Sequence, residues 1–127
     1  MPAYNFKTWK AEKVRTGESR QTIRPVRRRR TVTHDVLYLY HGQRRKTCEL
    51  LRTKTCKSVE PVEFAFGLQI EGGPSLVMMI VNGKILTYAE TYAMARADGF
   101  KDVPTFIDFF VKHYGVPNSR PLELIKW

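Results

Sequence analysis

The sequence predicts a single α+β domain of five to seven mostly antiparallel strands, closed as a small barrel, with two or three helices. Three observations point there. The apolar runs are short and of strand length, the longest being LVMMIV from Leu76 to Val81. Asn82-Gly83 lies between two such runs, a strong hairpin cue because both turn residues must accept positive φ. In the C-terminal half, Thr87 to Glu90 has capping-box spacing, and Asp102-Val103-Pro104 suits a second helix start. A chain of 127 residues is one domain by size and can bury a core without metal or disulfide support.

Taken in order, residues 5–15 (NFKTWKAEKVR) put Phe6, Trp9, Val14 and, marginally, Lys10 at helical spacing. That predicts a short helix with aromatics inward and lysines outward, ended by Gly17. From Gln21 the pattern is extended, and Pro25 marks a strand edge or end. Residues 36–40 (VLYLY) read as a strand followed by a His41-Gly42 turn. Residues 44–56 alternate imperfectly and predict a long strand with basic side chains on one face. Residues 59–70 predict another strand, and Glu71-Gly72-Gly73-Pro74 a turn before the hairpin. The first C-terminal helix runs to about Ala97 and stops at Asp98-Gly99. The second places Phe106, Phe109, Phe110, Val111 and Tyr114 largely on one side and ends at Gly115. Residues 117–121 form a loop, and LELIKW at 122–127 closes the chain as a strand.

Lys and Arg number 22 against 12 acidic residues, a net charge of +10. A small domain this basic attracts polyanions over a Debye length or more. Nucleic acid is the leading partner, an anionic membrane surface the second, and a plain solubility charge the bland alternative. The charge is densest at Arg27, Arg28, Arg29 and Arg30, with Arg24 just before them. On a strand these would alternate faces, whereas a loop would bring more of them to a phosphate backbone. Arg44, Arg45, Lys46, Arg52, Lys54 and Lys57 make a second basic strip. Trp9, Tyr38 and Tyr40 are candidates for stacking bases, with core packing the equal alternative for Trp9.

No apolar run approaches the ~20 residues that span a bilayer, and MPAYNFKTWK lacks an apolar signal region, so the expected location is cytoplasmic. Cys48, Cys56 and the histidines at 34, 41 and 113 have no metal-ligand spacing, and the cysteines read as free thiols. Neither a Walker loop nor a dinucleotide fingerprint occurs, so no cofactor is expected.

Several motifs acquire meaning together. Gly17-x-x-x-Gln21-Thr22-Ile23-Arg24 follows a short helix, and the VLYLY strand comes soon after. Asp98-Gly99-Phe100 precedes an aromatic helix with Phe109-Phe110 and Tyr114-Gly115, and the last strand ends in Trp127. In this order they resemble the ASCH domain family over roughly residues 5 to 127, with the hairpin at 67–88 as an insertion. The resemblance implies a PUA-like fold, a small mostly antiparallel β-barrel with two to three flanking helices. It also implies action on RNA or its nucleosides. One bacterial branch of the family is an amidohydrolase that deacylates acetylated cytidine, and another member is a ribonuclease.

The family motif is Gly-x-Lys-x-x-Thr-x-Arg, and in the hydrolase branch the Lys, the Thr and a later acid are catalytic. The Thr matches Thr22, the Arg matches Arg24 and the acid matches Asp98. The Lys falls on Ser19, which cannot serve as a base near neutral pH, and Arg20 beside it hardly gives up its proton. The resemblance therefore implies a binding site at Thr22, Arg24 and Asp98, flanked by Arg20, the arginine run and Trp9. The rival expectation is a small hydrolase with Thr22 and Asp98 as catalytic residues. A third is an accessory protein whose charge serves a protein partner. The bland alternative makes Thr22 a strand hydroxyl and Asp98 a turn residue.

Overall fold

The computed structural model describes residues 2–43, 46, 48–67 and 77–127. Its elements are β1 (Ala3–Phe6), α1 (Thr8–Thr16), β2 (Gln21–Pro25), β3 (Val36–His41), β4 (Glu49–Thr55), β5 (Ser58–Phe66), β6 (Val77–Val81), β7 (Lys84–Ile85), α2 (Tyr88–Ala97), α3 (Val103–Tyr114) and β8 (Leu122–Lys126). The chain is thus α+β. The described strands form a three-stranded sheet, ordered β1-β3-β4, and a five-stranded sheet, ordered β2-β8-β5-β6-β7. All pairings are antiparallel except that of β1 with β3. Among the described residues no helix is long and apolar enough to cross a membrane.

Local chemistry sets most boundaries. The Thr87 side chain accepts from the Glu90 amide while Glu90 accepts from the Thr87 amide, so α2 starts on a complete capping box. Asp102 caps α3 by accepting from the Thr105 amide. Asn82 and Gly83 take φ of 51° and 78°, as the hairpin between β6 and β7 requires. The stretch 68–76, with the expected Gly72-Gly73-Pro74 turn, and Arg44 and Arg45 lie outside the described residues.

Two expectations need correction. Residues 5–15 are not one helix. Tyr4 and Phe6 are buried while Asn5 is exposed, a period of two, and β1 pairs in parallel with β3. The helix begins only at Thr8, and it buries Lys10 with Ala11 and Val14 instead of turning that lysine outward. The strand expected at 44–56 begins at Glu49, and its last residue is Thr55.

Two apolar clusters lie on opposite faces of the five-stranded sheet. Leu122 and Leu124 of β8 join Phe64, Phe106, Phe110 and Met79 in one cluster. Ile125 and Trp127 join Tyr4, Phe6, Leu37 and Leu39 between the sheets. β8 is therefore covered on both faces, and each fully buried aliphatic side chain contributes ~1.5–3 kcal/mol. β2 is one edge of its sheet and β1 one edge of the other. Arg24 of β2 spans them, its Nη2 donating to the Asn5 carbonyl at 2.5 Å.

Candidate nucleic-acid interface

The loop after α1 is shaped by Gly17, whose φ of 82° favours glycine and whose missing Cβ leaves room for Arg52 Nη1, 2.7 Å from where it would sit. Ser19 then turns inward, and its Oγ donates to the Ala97 carbonyl at 3.1 Å. Ser19 thus ties the loop to α2 and is not among the residues lining the cavity that Thr22 lines. Arg20 stays exposed, its Nε donating to the Gly17 carbonyl at 3.0 Å.

β2 presents Thr22 and Arg24 on one face, as an extended strand must. Thr22 is buried, and its Oγ1 accepts from Arg24 Nε at 3.1 Å. The guanidinium lies 5.1 Å from the Phe6 ring centre and 5.8 Å from that of Tyr4, within cation–π range. Asp98 reaches the same place from the end of α2. The three residues matched by the family motif therefore line one cavity of about 300 Å³.

A lysine reaches the cavity from α1. Lys10 Nζ of α1 lies 3.1 Å from Asp98 Oδ1 and donates to the Gln21 carbonyl at 3.0 Å. The two charged side chains are 7% and 5% exposed, so the pair is out of water. Burial lowers the Lys10 pKa and raises that of Asp98, and the attraction between them opposes both shifts. Burial also lowers the Arg24 pKa. The signal in the sequence was the spacing of Lys10 and Val14, which share a helix face.

Aromatic rings wall the cavity. Trp9 is 44% exposed at the rim, packed against Phe100 at 5.1 Å, so it is not the core residue of its helix. Phe109 and Tyr114 of α3 close the far side, with His113 stacked on Phe109 at 4.3 Å. The cavity offers flat apolar walls and a polar floor of hydroxyl, guanidinium, ammonium and carboxylate. A planar heterocycle with hydrogen-bonding edges matches that arrangement.

The arginine run leaves the strand. Arg27, Arg28, Arg29 and Arg30 are exposed on the loop between β2 and β3 and line a concave surface of about 670 Å³ with His34 and Asp35. The loop is anchored after the arginine run. Buried Thr31 hydrogen-bonds the Tyr4 hydroxyl, and the Asp35 carboxylate accepts from the Val32 amide at 2.9 Å. Arg27 lies 4.1 Å over the Tyr4 ring and donates to the Ala3 carbonyl. The ring of buried Tyr4 thus lies beneath both Arg24, which lines the cavity, and Arg27, which lines the cleft.

The remaining candidates are not brought there. Lys46 is exposed beyond the His41 end of β3, whereas Val36 at the other end lines the arginine cleft. Arg52 and Lys54 share a face, opposite Leu39 and Leu37 in the ladder. Tyr38 and Tyr40 are half-buried and alternate with buried Leu37 and Leu39, so they occupy the other face. Among the described residues no group of three His, Cys, Asp or Glu side chains is placed to hold a metal. Compared with family models, with curated proteins and with solved structures, the chain finds no match in any of the three.

Proposed function

We propose that the chain binds RNA, or another nucleic acid in single-stranded form, as an ASCH-like domain built on a PUA-like barrel in the cytoplasm. One observation carries the reading. An aromatic-walled cavity with Thr22, Arg24 and Asp98 on its floor lies near a cleft of four arginines, and Arg24 of the cavity and Arg27 of the cleft both lie over the ring of buried Tyr4. In this reading a base enters the cavity between Trp9 and the α3 aromatics, and the phosphates on either side lie along Arg27 to Arg30. Stacking on aromatic side chains contributes ~1–3 kcal/mol per base and tolerates any base. Arginine contacts to phosphate add affinity that falls steeply with salt. A salt titration against matched single-stranded RNA, double-stranded RNA and DNA tests it. Affinity should be highest for a single strand, and changing Arg27 to Arg30 to alanine should remove most of the salt dependence. Weak binding to all three at low salt would reject the reading.

A second reading, a small hydrolase acting on RNA or modified nucleosides, is favoured by Lys10. The amine that Ser19 could not supply lies beside Asp98 and the Gln21 carbonyl. An amine whose pKa is lowered by burial is a better base near neutral pH than a free lysine. Incubation with N-acylated cytidine and with single-stranded RNA, using Thr22→Ala as control, tests this reading. Deacylation or cleavage that Thr22→Ala abolishes supports it, and its absence leaves the binding reading alone.

A further inference from the structure

The arginine cleft rests on an acid that the reading above does not use. Glu123, the second residue of β8, is 1% exposed and points into the space between the sheets. Neither of its carboxylate oxygens has a hydrogen-bond donor among the described residues. Its nearest cation is Arg30, whose Nη2 is 3.8 Å from Oε2, too far for a hydrogen bond, on a side chain that is 67% exposed.

A charge taken out of water costs several kcal/mol unless it is paired. Asp98 meets that cost with a buried lysine and Glu123 does not. The charged and titratable groups around Glu123 come from four elements. Tyr4 of β1 bonds to Thr31, Arg24 lies opposite in β2, Arg27 and Arg30 come from the loop, and Cys56 precedes β5. Arg24 is committed to Thr22 and Asn5, and Arg27 to Ala3 and the Tyr4 ring. Of these three arginines, Arg30 is the one with no other partner among the described contacts.

We propose that Glu123 is the positioning residue of the arginine cleft: it draws Arg30 over the sheet, and a polyanion that takes Arg30 leaves Glu123 to accept a proton. The proposal rests on the reading of the cleft as a polyanion site. Burial already raises the Glu123 pKa, and Arg30 and then Arg27 lower it in part. When phosphates engage those arginines, that opposing field is withdrawn and the protonated acid is favoured. Binding is then coupled to proton uptake, so affinity falls as pH rises, by at most ~10-fold per pH unit for one proton.

Two arms test this. In the ligand-free arm, thermal unfolding is followed from about pH 5 to 8 in wild-type, Glu123→Gln, Arg30→Ala and Arg28→Ala proteins. A carboxyl whose folded pKa is raised loses stability as pH rises from its unfolded pKa through its folded one. Wild-type Tm should therefore fall relative to Glu123→Gln as pH rises. Arg30→Ala should deepen that fall and Arg28→Ala should not. Parallel profiles for wild-type, Glu123→Gln and Arg30→Ala would overturn the pairing.

In the second arm, single-stranded oligouridylate is bound in buffers of different ionisation heat, which counts protons taken up. Wild-type and Arg28→Ala should take up a fraction of a proton, Arg30→Ala clearly less, and Glu123→Gln none. Equal uptake by all four, or none by a wild-type protein that binds, would overturn the coupling. Arg30→Ala keeps the test decisive if Glu123→Gln does not fold. Failure of oligouridylate to bind at low salt would reject the nucleic-acid reading and the coupling with it, leaving the pairing to the unfolding arm.

Discussion

Asp98 and Glu123 are both acids with almost no exposed surface, and they are treated in opposite ways. Asp98 has Lys10 at 3.1 Å, delivered by a helix and itself buried. Glu123 has Arg30 at 3.8 Å, delivered by a loop and mostly in solvent. The first pair is buried at hydrogen-bond distance and lines a cavity. The second is weak by geometry, and its cation is free to take another partner. The difference teaches how one small domain can hold a rigid pocket beside a responsive cleft.

Breaking the stronger pair has the largest expected effect. Lys10→Met leaves Asp98 charged and unpaired, at a cost of ~3–5 kcal/mol in urea unfolding near neutral pH. Acid should recover part of that loss. The Asp98 pKa is raised by burial, and it rises further without Lys10, so stability is lost as pH climbs through it. Adding Asp98→Asn should restore much of the stability at neutral pH. If Lys10→Met costs nothing, the pair does not hold the cavity floor. The weaker pair should respond with the opposite sign. Glu123→Gln removes an unpartnered buried charge and should gain ~1–2 kcal/mol near neutral pH, with little change in acid. A clear loss at neutral pH would place Glu123 with Asp98 as a satisfied acid.

Smaller effects separate cavity from cleft. Thr22→Ala removes the acceptor for Arg24 Nε and should cost ~1 kcal/mol of stability while weakening nucleotide binding in the cavity. Arg28→Ala, on an exposed residue, should leave the unfolding midpoint unchanged. It should lower the salt slope of oligonucleotide binding by ~0.7–0.9, the share of one phosphate contact. If Thr22→Ala changes the salt slope, or Arg28→Ala leaves it unchanged, the two regions do not divide the work this way.

What was legible in the sequence was what neighbouring residues decide. The Thr87 capping box, the Asp102 cap and the Asn82-Gly83 turn are made by residues a few positions apart. Thr22 and Arg24 shared a face because any strand enforces it. β1 was illegible because its four residues become a strand only beside β3, more than thirty positions later. Trp9 stood equally between pocket wall and core, because helical spacing alone does not say which neighbours cover a ring, and only the fold places it at the rim. Lys10 was the largest loss. A lysine on an apolar helix face reads as an exception to the pattern until a distant acid is known to meet it, and Asp98 lies 88 residues away. The acid of β8 was hidden for the same reason, since only the packing of two sheets buries Glu123.

The central claim is that one strand occupies the cavity and the cleft together. Its most direct test is length dependence. Uridine monophosphate and an oligouridylate are titrated into wild-type and Arg28→Ala/Arg29→Ala proteins at low and moderate salt, following the fluorescence of rim residue Trp9. The expected result is weak, similar mononucleotide binding by both proteins. The oligonucleotide should bind wild-type much more tightly and with steep salt dependence, and the variant little better than the mononucleotide. Equal affinity of wild-type for mononucleotide and oligonucleotide, or a length dependence that survives in the variant, would contradict the account.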